Sequence, residues 1–488
     1  MEASRPFPNH AQLVRSGTYI ALICALSACA SVGPDYERPE LLVENTDWIG
    51  RTGVPVAEEE FIAWWRNLGD PELTRLVEAS LEQNLSVREA IVRVEEARTR
   101  RASVRARGLP EVTADTSVTV LQQSLNANPG LAEIPGFVRE FEIYEIGGSL
   151  SWQLDLWGQL DRAVEASNAS IEAAIAVANG ARLAVAIETA STYLSLLGFQ
   201  SERAALLSSI AAQEELVELS RVQLEEGQIS RAELLLVQSE LARLEAELPP
   251  LEIEIRAAAF ALGPLTGGLP EQEIRLAAER RAELALMEVP VGLRADLLRR
   301  RPDIARTERE LAALTAQIGV AEAELFPQLR LNVDGGFASA MLDTLFESES
   351  TNYNIVPFLS WRIFDGGRVR AEIDLAEAEA RRAALAYERS VVTALEEAET
   401  AIARYDLARE TLALSERAVN LSSQNYELAR VQFEFGAIDR LRLQDAERGL
   451  REAERGRAVA YRNASLAMAG LYAALGGGWQ AVPSGEEI

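Results

Sequence analysis

The chain contains an internal repeat, and this constrains its fold more than any single residue does. Residues 222–231 recur as residues 431–440, which lie 209 positions later (431 − 222). The segments around Trp152 and Trp361 have the same offset, so the register is held without gaps over about 80 residues. A duplicated unit of this length predicts a pseudo-symmetric fold of two intertwined repeats rather than several separate domains. Each repeat carries two strand-like stretches and very long helical stretches.

The first 28 residues are interpreted as a secretory signal peptide. Arg5 and Arg15 precede a short apolar run at residues 18–26, which is too short to span a bilayer. The small residues before Cys29 resemble a bacterial lipobox, in which cleavage leaves that cysteine as the acylated first residue of a lipoprotein. The alternative is an ordinary signal peptidase site beside an incidental cysteine. We therefore predict a signal peptide at residues 1–28 and lipid attachment at Cys29.

Composition argues against several classes of function. The formal charge is −27 and every basic residue is an arginine, so the chain lacks the basic footprint of a nucleic-acid-binding protein. Cys24 and His10 lie in the leader, and Cys29 is expected to be acylated. The mature chain then has no histidine and no free thiol for a Ser-His-Asp triad, a disulfide or a His-ligated zinc. We expect neither an enzyme nor a bound metal or cofactor.

Four stretches alternate between apolar and polar residues with the period of two that a half-buried strand requires. They lie at about residues 111–121, 141–154, 328–338 and 353–363. Strands of about ten residues with one apolar and one polar face suit a transmembrane barrel, with lipid outside and water inside. The polar face would line the lumen with Asp115, Glu145, Arg330, Asp334 and Arg362. Aromatic residues suited to membrane interfaces lie towards the strand ends: Tyr144, Trp152, Tyr353 and Trp361.

The alternative for these strands is a soluble antiparallel sheet packed on a helix, which shows the same alternation. Four strands cannot close a barrel around water, and open sheet edges are not tolerated in lipid. If the strands are in a membrane, the protein must therefore be an oligomer that shares them. Pro357 lies within the fourth strand, where an edge or a bulge would tolerate it.

Two segments without proline, residues 158–226 and 367–435, predict very long helices. At 1.5 Å per residue each would extend ~100 Å if unbroken. Apolar residues recur every seven positions in two series that are offset by roughly 200° around the helix. The first series is Ile210, Val217 and Leu224, matched by Val419, Tyr426 and Phe433; the second is Leu414, Leu421, Leu428 and Phe435. Two opposed seams suit a helix with a neighbour on each side, as in a closed ring of helices, but burial in a bundle explains the same residues.

Gly227 and Gly436 are predicted to end these helices as C-caps and to open tight hairpins, each followed by a return helix. Both turns lie at the far end of the helices from the strands. This implies a tube with strands at one end and two hairpin tips per chain at the other. A further helix is predicted from the N-cap Asp70, which Pro71 follows, to about Gly108.

These elements divide the chain into consecutive parts and predict a mixed α/β membrane protein. After the signal peptide come a lipidated extended segment (29–69), repeat 1 (70–268), a linker or equatorial segment (269–294), repeat 2 (295–475) and a C-terminal tail (476–488). Each repeat holds a helix, two strands and a helical hairpin. The hairpin tip is at Gly227 in the first repeat and at Gly436 in the second.

Several short motifs follow one another between about residue 29 and residue 475. They are VGPDYERP (32–39), WW (64–65) with GDP (69–71), LDLWG (154–158), LLRRRPDI (297–304), IGVAEA (318–323) with FP (326–327), and FDGG (364–367). In this combination and order they resemble the TolC-type outer-membrane efflux channels. Within that family they resemble the NodT-like lipoprotein branch, which serves resistance-nodulation-division (RND) pumps.

The resemblance implies a homotrimer with four strands per chain in a shared twelve-stranded barrel in the outer membrane. Coiled-coil helices would continue it as a helical barrel through the periplasm. It also implies a passive conduit that is docked by a periplasmic adaptor protein and an inner-membrane RND-type transporter. The adaptor would engage the tips around Gly227 and Gly436.

The resemblance further implies a periplasmic constriction ringed by acidic residues shortly after the second tip. Asp445 falls on that pattern, whereas the position three before it, acidic in some members, is Arg442 here. A ring of Asp445 from three chains would favour cations. Arg440 and Arg442 are available to latch the tips shut by pairing with acids at the tips: Glu225, Glu226 or Glu434.

We therefore interpret the sequence as the outer-membrane channel of a tripartite efflux pump. It would be anchored to outer-membrane lipid, extend into the periplasm and export drugs or other small toxic solutes. One alternative shares the fold and is the exit duct of a type I protein-secretion system. Another, from a different class, is a coiled-coil scaffold lipoprotein without a pore, which would require soluble strands and a monomeric chain.

Overall fold

The computed structural model describes residues 31–39, 47–49, 59–127, 130, 134–135, 137–279 and 281–480. The predicted signal peptide, Cys29 and the end of the predicted tail lie outside these described residues. The chain divides into two compact units. The first comprises Met1–Pro39, Glu95–Glu172 and Glu308–Leu385, and the second comprises Glu40–Val94, Ala173–Thr307 and Ala386–Ile488. Both repeats contribute to both units.

The described part of the chain forms helices and four strands in the following order. They are α1 (Glu59–Ile62), α2 (Pro71–Gln83), α3 (Leu85–Ala106), β1 (Glu111–Gln122), β2 (Glu140–Leu154), α4 (Gln159–Glu225), α5 (Arg231–Leu265), α6 (Arg275–Ala278), α7 (Arg294–Arg300), α8 (Pro302–Glu322), β3 (Gln328–Ser339), β4 (Thr351–Ser360), α9 (Arg368–Glu434) and α10 (Arg440–Ala474). A 3₁₀ helix at Trp64–Leu68 precedes α2.

Four helices repeat at the offset found in the sequence. The long helices α4 and α9 have 67 residues each, and the return helices α5 and α10 have 35 residues each. Each helix of the second repeat begins 209 positions after its counterpart. At 1.5 Å per residue, α4 and α9 are each ~100 Å long. The internal two-fold repeat predicted from the sequence is confirmed.

An acidic residue caps the start of each long helix. Asp155 accepts hydrogen bonds from the backbone N–H groups of Gln159 and Leu160, both at 2.8 Å. Asp365 accepts from Gly367 at 2.9 Å and from Val369 at 3.0 Å. A carboxylate at a helix N-terminus satisfies amide groups that have no partner within the helix. The motifs at residues 154–158 and 364–367 thus fold locally for the same physical reason.

The helix predicted from Asp70 to about Gly108 is two helices, so that prediction was wrong. Asp70 does cap α2, accepting from Glu72 N at 2.7 Å. The break comes at Asn84, whose backbone is extended (φ −60°, ψ 132°). Its side chain donates to the carbonyl of Leu265 at 3.0 Å and accepts from Ser86 N at 2.8 Å, so it both caps α3 and fastens α5.

The strands form one antiparallel sheet in the order β1-β2-β3-β4. Four strands per chain, as predicted, are confirmed. The fourth strand ends at Ser360, however, so Trp361 and Arg362 lie beyond it. Ser360 pairs with Gln328, and the next residue on β3's side is Pro327, which has no N–H to extend the ladder. Trp361 instead donates its indole N–H to the carbonyl of Leu325 at 3.0 Å.

The second unit has a large apolar core of aromatic and aliphatic side chains. The indole of Trp64 stacks on the ring of Tyr472 with centroids 4.5 Å apart and an interplanar angle of 7°. Four further tyrosine and tryptophan side chains are fully buried in the same cluster: Trp65, Tyr193, Tyr387 and Tyr405. The tryptophan pair of the motif at residues 64–65 is therefore a packing element.

Candidate gate and helix tips

Each long helix ends in the same turn. Gly227 (φ +73°) and Gly436 (φ +70°) lie in the left-handed region, where glycine alone avoids a steric penalty. Gly227 N donates to the carbonyl of Leu224 at 3.0 Å, and Gln228 N donates to that of Gln223 at 2.8 Å. The same two bonds occur at Gly436 and the residue after it, at 2.9 and 2.8 Å. This is the Schellman motif, so both glycines cap helices; their role as adaptor contacts stays a prediction.

The return helices begin differently at the two tips. At the first tip Ser230 and Glu233 form a capping box, in which Glu233 N donates to Ser230 Oγ at 3.3 Å and Ser230 N donates to Glu233 Oε2 at 2.6 Å. At the second tip Asp439 accepts from Arg442 N at 2.9 Å. Arg442 occupies the position that Glu233 has in the first repeat. An arginine cannot accept the return bond, so the second tip has half of the box.

The predicted gate residue Asp445 lies on the first turns of α10, with 55% of its side chain exposed. Its Oδ1 is 3.0 Å from Nη2 of Arg448, one helical turn further on. Arg442 is exposed and forms no ion pair with a described residue. The carboxylate therefore faces solvent beside a cation of its own helix, and sequence analysis did not identify that cation.

A cleft of about 270 Å³ lies between α4, α5 and α10, and Asp445 lines it. Apolar side chains from all three helices form part of its wall: Leu216, Leu236, Val237 and Leu441. Gln213 crosses the cleft to donate to the carbonyl of Val237 at 2.9 Å. The candidate gate is thus the rim of a groove within one protomer.

Two charged groups beside this cleft are partly removed from water. Burial raises the pKa of Glu447 above its usual value, and the nearby Glu215 adds to the effect although Arg451 and Arg440 oppose it. Burial lowers the pKa of Arg440, against the attraction of Glu447. The Nε of Arg440 is buried and has no hydrogen-bond partner among the described residues. The attraction between Arg440 and Glu447 is therefore a longer-range electrostatic one, and the two side chains form no direct ion pair.

The structure does not form the latch that the sequence suggested between the arginines after the second tip and the acidic residues at the tips. Within the described part of a single chain, Arg440 and Arg442 form no ion pair with Glu225, Glu226 or Glu434. Glu434 pairs with Arg430 of its own helix at 3.3 Å instead. A latch between neighbouring chains stays a prediction.

The sequence shows why Glu447 and Arg448 were missed. Neither belongs to a motif, but both differ from their repeat counterparts, which are Gln238 and Ser239. The 209-residue offset, applied residue by residue after the tips, would have identified both. It also pairs Asp445 with Leu236, so only the second tip carries the candidate gate.

The same two repeats match a known protein family, described as "Outer membrane efflux protein", at residues 76–268 and 293–477. The chain belongs to this family. It is 30% identical to Nodulation protein T of Rhizobium leguminosarum bv. trifolii over 87% of the chain and 89% of that protein. It is 32% identical to the outer membrane protein OprJ of Pseudomonas aeruginosa over 88% of the chain and 89% of that protein.

A solved structure of the outer-membrane channel OprN is also similar. Its TM-score is 0.83 with 33% identity, over 92% of this chain and all of that one. The predicted TolC-type fold class, the outer-membrane localisation and the role as the outer-membrane component of an efflux system are confirmed. The family consists of efflux proteins rather than enzymes, and the scaffold alternative without a pore is not supported.

Proposed function

We propose that three copies of this chain form a gated, water-filled channel through the outer membrane. The observation that carries the proposal is the four-stranded sheet, which has one mainly polar face, one mainly apolar face and two open edges. Within the described residues, β1 and β4 each pair on one side only. Open edges are not tolerated in lipid, so the strands of neighbouring chains must complete the barrel.

The two faces of the sheet differ in their contacts. On the polar face, side chains bond across strands: Thr113 Oγ1 lies 2.6 Å from Ser149 Oγ, and Ser151 donates to Asn332 at 3.2 Å. On the other face, large apolar side chains are exposed in a single chain, namely Val112, Val118, Val120, Ile355 and Leu359. Such a face is stable against lipid and costly against water.

Paired glycines support the assignment of the polar face to the lumen. Gly147 and Gly336 are partners on the polar face, and a Cβ added to Gly336 would lie 2.5 Å from Gly147 Cα. Gly148 and Gly335 are partners on the apolar face, where an added Cβ would lie 3.2 Å from the carbonyl oxygen of Thr113 at Gly148 and no closer than 3.8 Å to a neighbour at Gly335. The backbones approach each other more closely on the polar face, as in a sheet that curves towards that face. We therefore infer that the polar face is the concave one.

The long helix α9 supports the association of chains. The series Leu414, Leu421 and Leu428 is 56–64% exposed in the single chain, and Phe435 continues it. The first series behaves differently: on α4, its members Ile210 and Val217 are buried within the single chain. A seven-residue apolar series that its own chain leaves uncovered suits a helix of the next chain.

The remaining features complete the proposal. Cys29 carries the lipid anchor, the Gly227 and Gly436 tips meet a periplasmic adaptor, and Asp445 with Arg442 and Arg440 controls the periplasmic constriction. The channel passively exports small toxic solutes that an inner-membrane RND-type transporter and the adaptor deliver. The exit duct of a type I secretion system stays an alternative that no structural observation favours.

Thiol labelling in planar bilayers tests the lumen assignment. The mature chain is expected to have no free thiol, so Asn332→Cys and its neighbour Val333→Cys each introduce a single one. A charged, membrane-impermeant thiol reagent should reduce the conductance of the Asn332→Cys channel and leave the Val333→Cys channel unchanged. Equal block of both variants, or no conductance from either, would contradict the proposal.

A further inference from the structure

One buried arginine holds the segment that directly follows the lipidation site. Only 6% of the Arg162 side chain is exposed. Its Nε donates to the carbonyl of Val32 at 3.0 Å, and its Nη2 donates to that of Gly33 at 3.0 Å and to Asp35 Oδ1 at 2.8 Å. Nη1 donates to Glu165 at 2.7 Å, which orients the guanidinium. We call residues 31–39 the strap and these contacts of Arg162 the clamp.

Glycines on both sides allow the strap to lie against the rest of the first unit. Gly33 has φ +92°, and a Cβ there would lie 2.3 Å from Gly319 Cα. A Cβ on Gly319 would lie 2.6 Å from the carbonyl oxygen of Val32, and one on Gly158 would lie 2.7 Å from Ser31 Cα. The strap thus packs so closely against the neighbouring backbone that a methyl group on any of these three glycines would cause a collision.

Polar contacts rather than apolar burial hold the strap. None of its residues is buried, and its side chains are half-buried or exposed. Besides the clamp, Arg38 pairs with Glu308 at 3.0 Å and the Tyr36 ring lies 5.7 Å from the Arg309 guanidinium. Glu308 is buried, but Arg38 is half exposed, so water screens this pair and its contribution is modest. Hydrogen bonds from a buried charge are the stronger contacts, so Arg162 is the main fastener.

The strap lies where β2 ends and β3 begins. Val32 N donates to the carbonyl of Trp157, three residues after β2, at 3.2 Å. The Trp157 indole donates to the carbonyl of Pro327, directly before β3, at 2.7 Å. Cys29 is two residues before Ser31, so at most ~7 Å of extended backbone separates the lipidation site from the strap.

We propose that the clamp makes the lipid anchor and the strands one membrane attachment, with Arg162 as the positioning residue. The acyl chains are held in the lipid next to the ends of β2 and β3 instead of trailing on a free tether. The anchor then stabilises the strands, because acyl chains that are fixed to the junction cannot leave the bilayer unless the junction moves with them. This inference rests on the proposed membrane barrel and on acylation of Cys29.

A double-mutant cycle tests the coupling in lipid nanodiscs. The measurement is the temperature at which the assembled protein dissociates, for the original chain, Cys29→Ala, Arg162→Met and the double variant. Mass spectrometry establishes acylation of each, and conductance establishes that each forms a channel. We expect Cys29→Ala to lower the dissociation temperature of the original chain and to have no further effect once Arg162 is replaced.

Arg368→Met is the matched control, because Arg368 is another arginine of the first unit and pairs with Glu372 and not with the strap. The effect of Cys29→Ala should persist in full in that background. If Arg162→Met fails to assemble, Gly33→Val replaces it, since it expels the strap and leaves Arg162 intact.

Additive losses would overturn the proposal, because Arg162 would then support the fold and not the anchor. Absence of acylation at Cys29, or no effect of its removal in any background, would overturn it too. Conducting variants with additive losses would leave the channel function standing, so the two failures are distinguishable. A spin label at Glu37→Cys provides a direct readout and should become mobile in Arg162→Met and stay immobile in Arg368→Met.

Discussion

The two hairpin tips share one backbone and carry different chemistry. Both use the same glycine turn with the same pair of hydrogen bonds. One turn into the return helix, however, the first tip presents Leu235 and Leu236, whereas the second presents Gln444 and Asp445. Leu236 is 71% exposed. The duplication has thus kept the geometry that closes the hairpin and has let the surface diverge.

From this difference we propose a division of labour between the repeats. An exposed leucine pair costs free energy in water and is stable when another protein covers it. A carboxylate with an arginine on the same helix is stable in a hydrated constriction. The first tip therefore suits docking alone and the second suits docking combined with gating, although a fold-level description treats them as equivalent.

The largest expected effect is on ion selectivity. Asp445→Ala removes one negative charge per chain, so a trimeric constriction loses three, and its cation preference should fall towards parity while conductance rises. Leu236→Ala at the equivalent position is the matched control and should leave both unchanged. Reversal potentials in planar bilayers under a salt gradient measure the preference. An unchanged Asp445→Ala channel would remove this residue from the gate.

The tip glycines should respond equally to substitution. Gly227→Val and Gly436→Val each force a branched side chain into the left-handed region, at a cost of roughly 1–2 kcal/mol or more. Among the described residues, no heavy atom beyond the two chain neighbours lies within 4 Å of an added Cβ at either site, so the penalty is conformational and matched. Thermal unfolding followed by circular dichroism should show similar shifts. A large inequality would show that the two turns are not equivalent.

Exchanging the residues at the third position of the two return helices should stabilise one helix and destabilise the other. Arg442→Glu supplies the missing half of the capping box and places a negative charge at a helix N-terminus, which should stabilise α10 by ~0.3–1 kcal/mol. Glu233→Arg should destabilise α5 by a similar amount. Hydrogen exchange of the first-turn amides measures both. Protection that changes in the same direction in the two variants would contradict the capping argument.

The smallest expected effect concerns pH. The pKa of Glu447 is raised in the folded chain, mainly by burial, so its ionised form is disfavoured at neutral pH and protonation relieves this cost. Glu447→Gln reproduces the Gln238 of the first repeat and should increase stability at pH 7. The gain should shrink as pH falls through the raised pKa, where the original chain becomes neutral too. A gain that is independent of pH would point to packing instead.

Sequence periodicity was sufficient for the repeat, the long helices and the four strands. Alternation and seven-residue series are strong over these lengths, and the glycine turns have one low-cost conformation. The break at Asn84 was not predictable in the same way, because it depends on a hydrogen bond to Leu265, 181 residues away. The end of β4 at Ser360 was not predictable from the sequence of β4 either, because it depends on the strand register that places Pro327 next in the opposite chain segment.

Contacts between charged residues that lie far apart in the chain could not be predicted from the sequence either. Arg162 lies 130 residues from Val32, and nothing in its neighbourhood distinguishes it from the many other arginines of an acidic chain. Asp445 was found through the family resemblance, but its ion pair with Arg448 and the partial burial of Glu447 needed coordinates. Charge is abundant here, so composition alone does not specify which pairs form.

The central claim is that three chains share one barrel. Light scattering with refractive-index detection on the detergent-extracted outer-membrane fraction measures the protein mass directly. We predict a mass near three processed chains, somewhat below three times the 53.4 kDa of the full sequence. A mass near that of one chain would leave the four strands with open edges in lipid and would contradict the account.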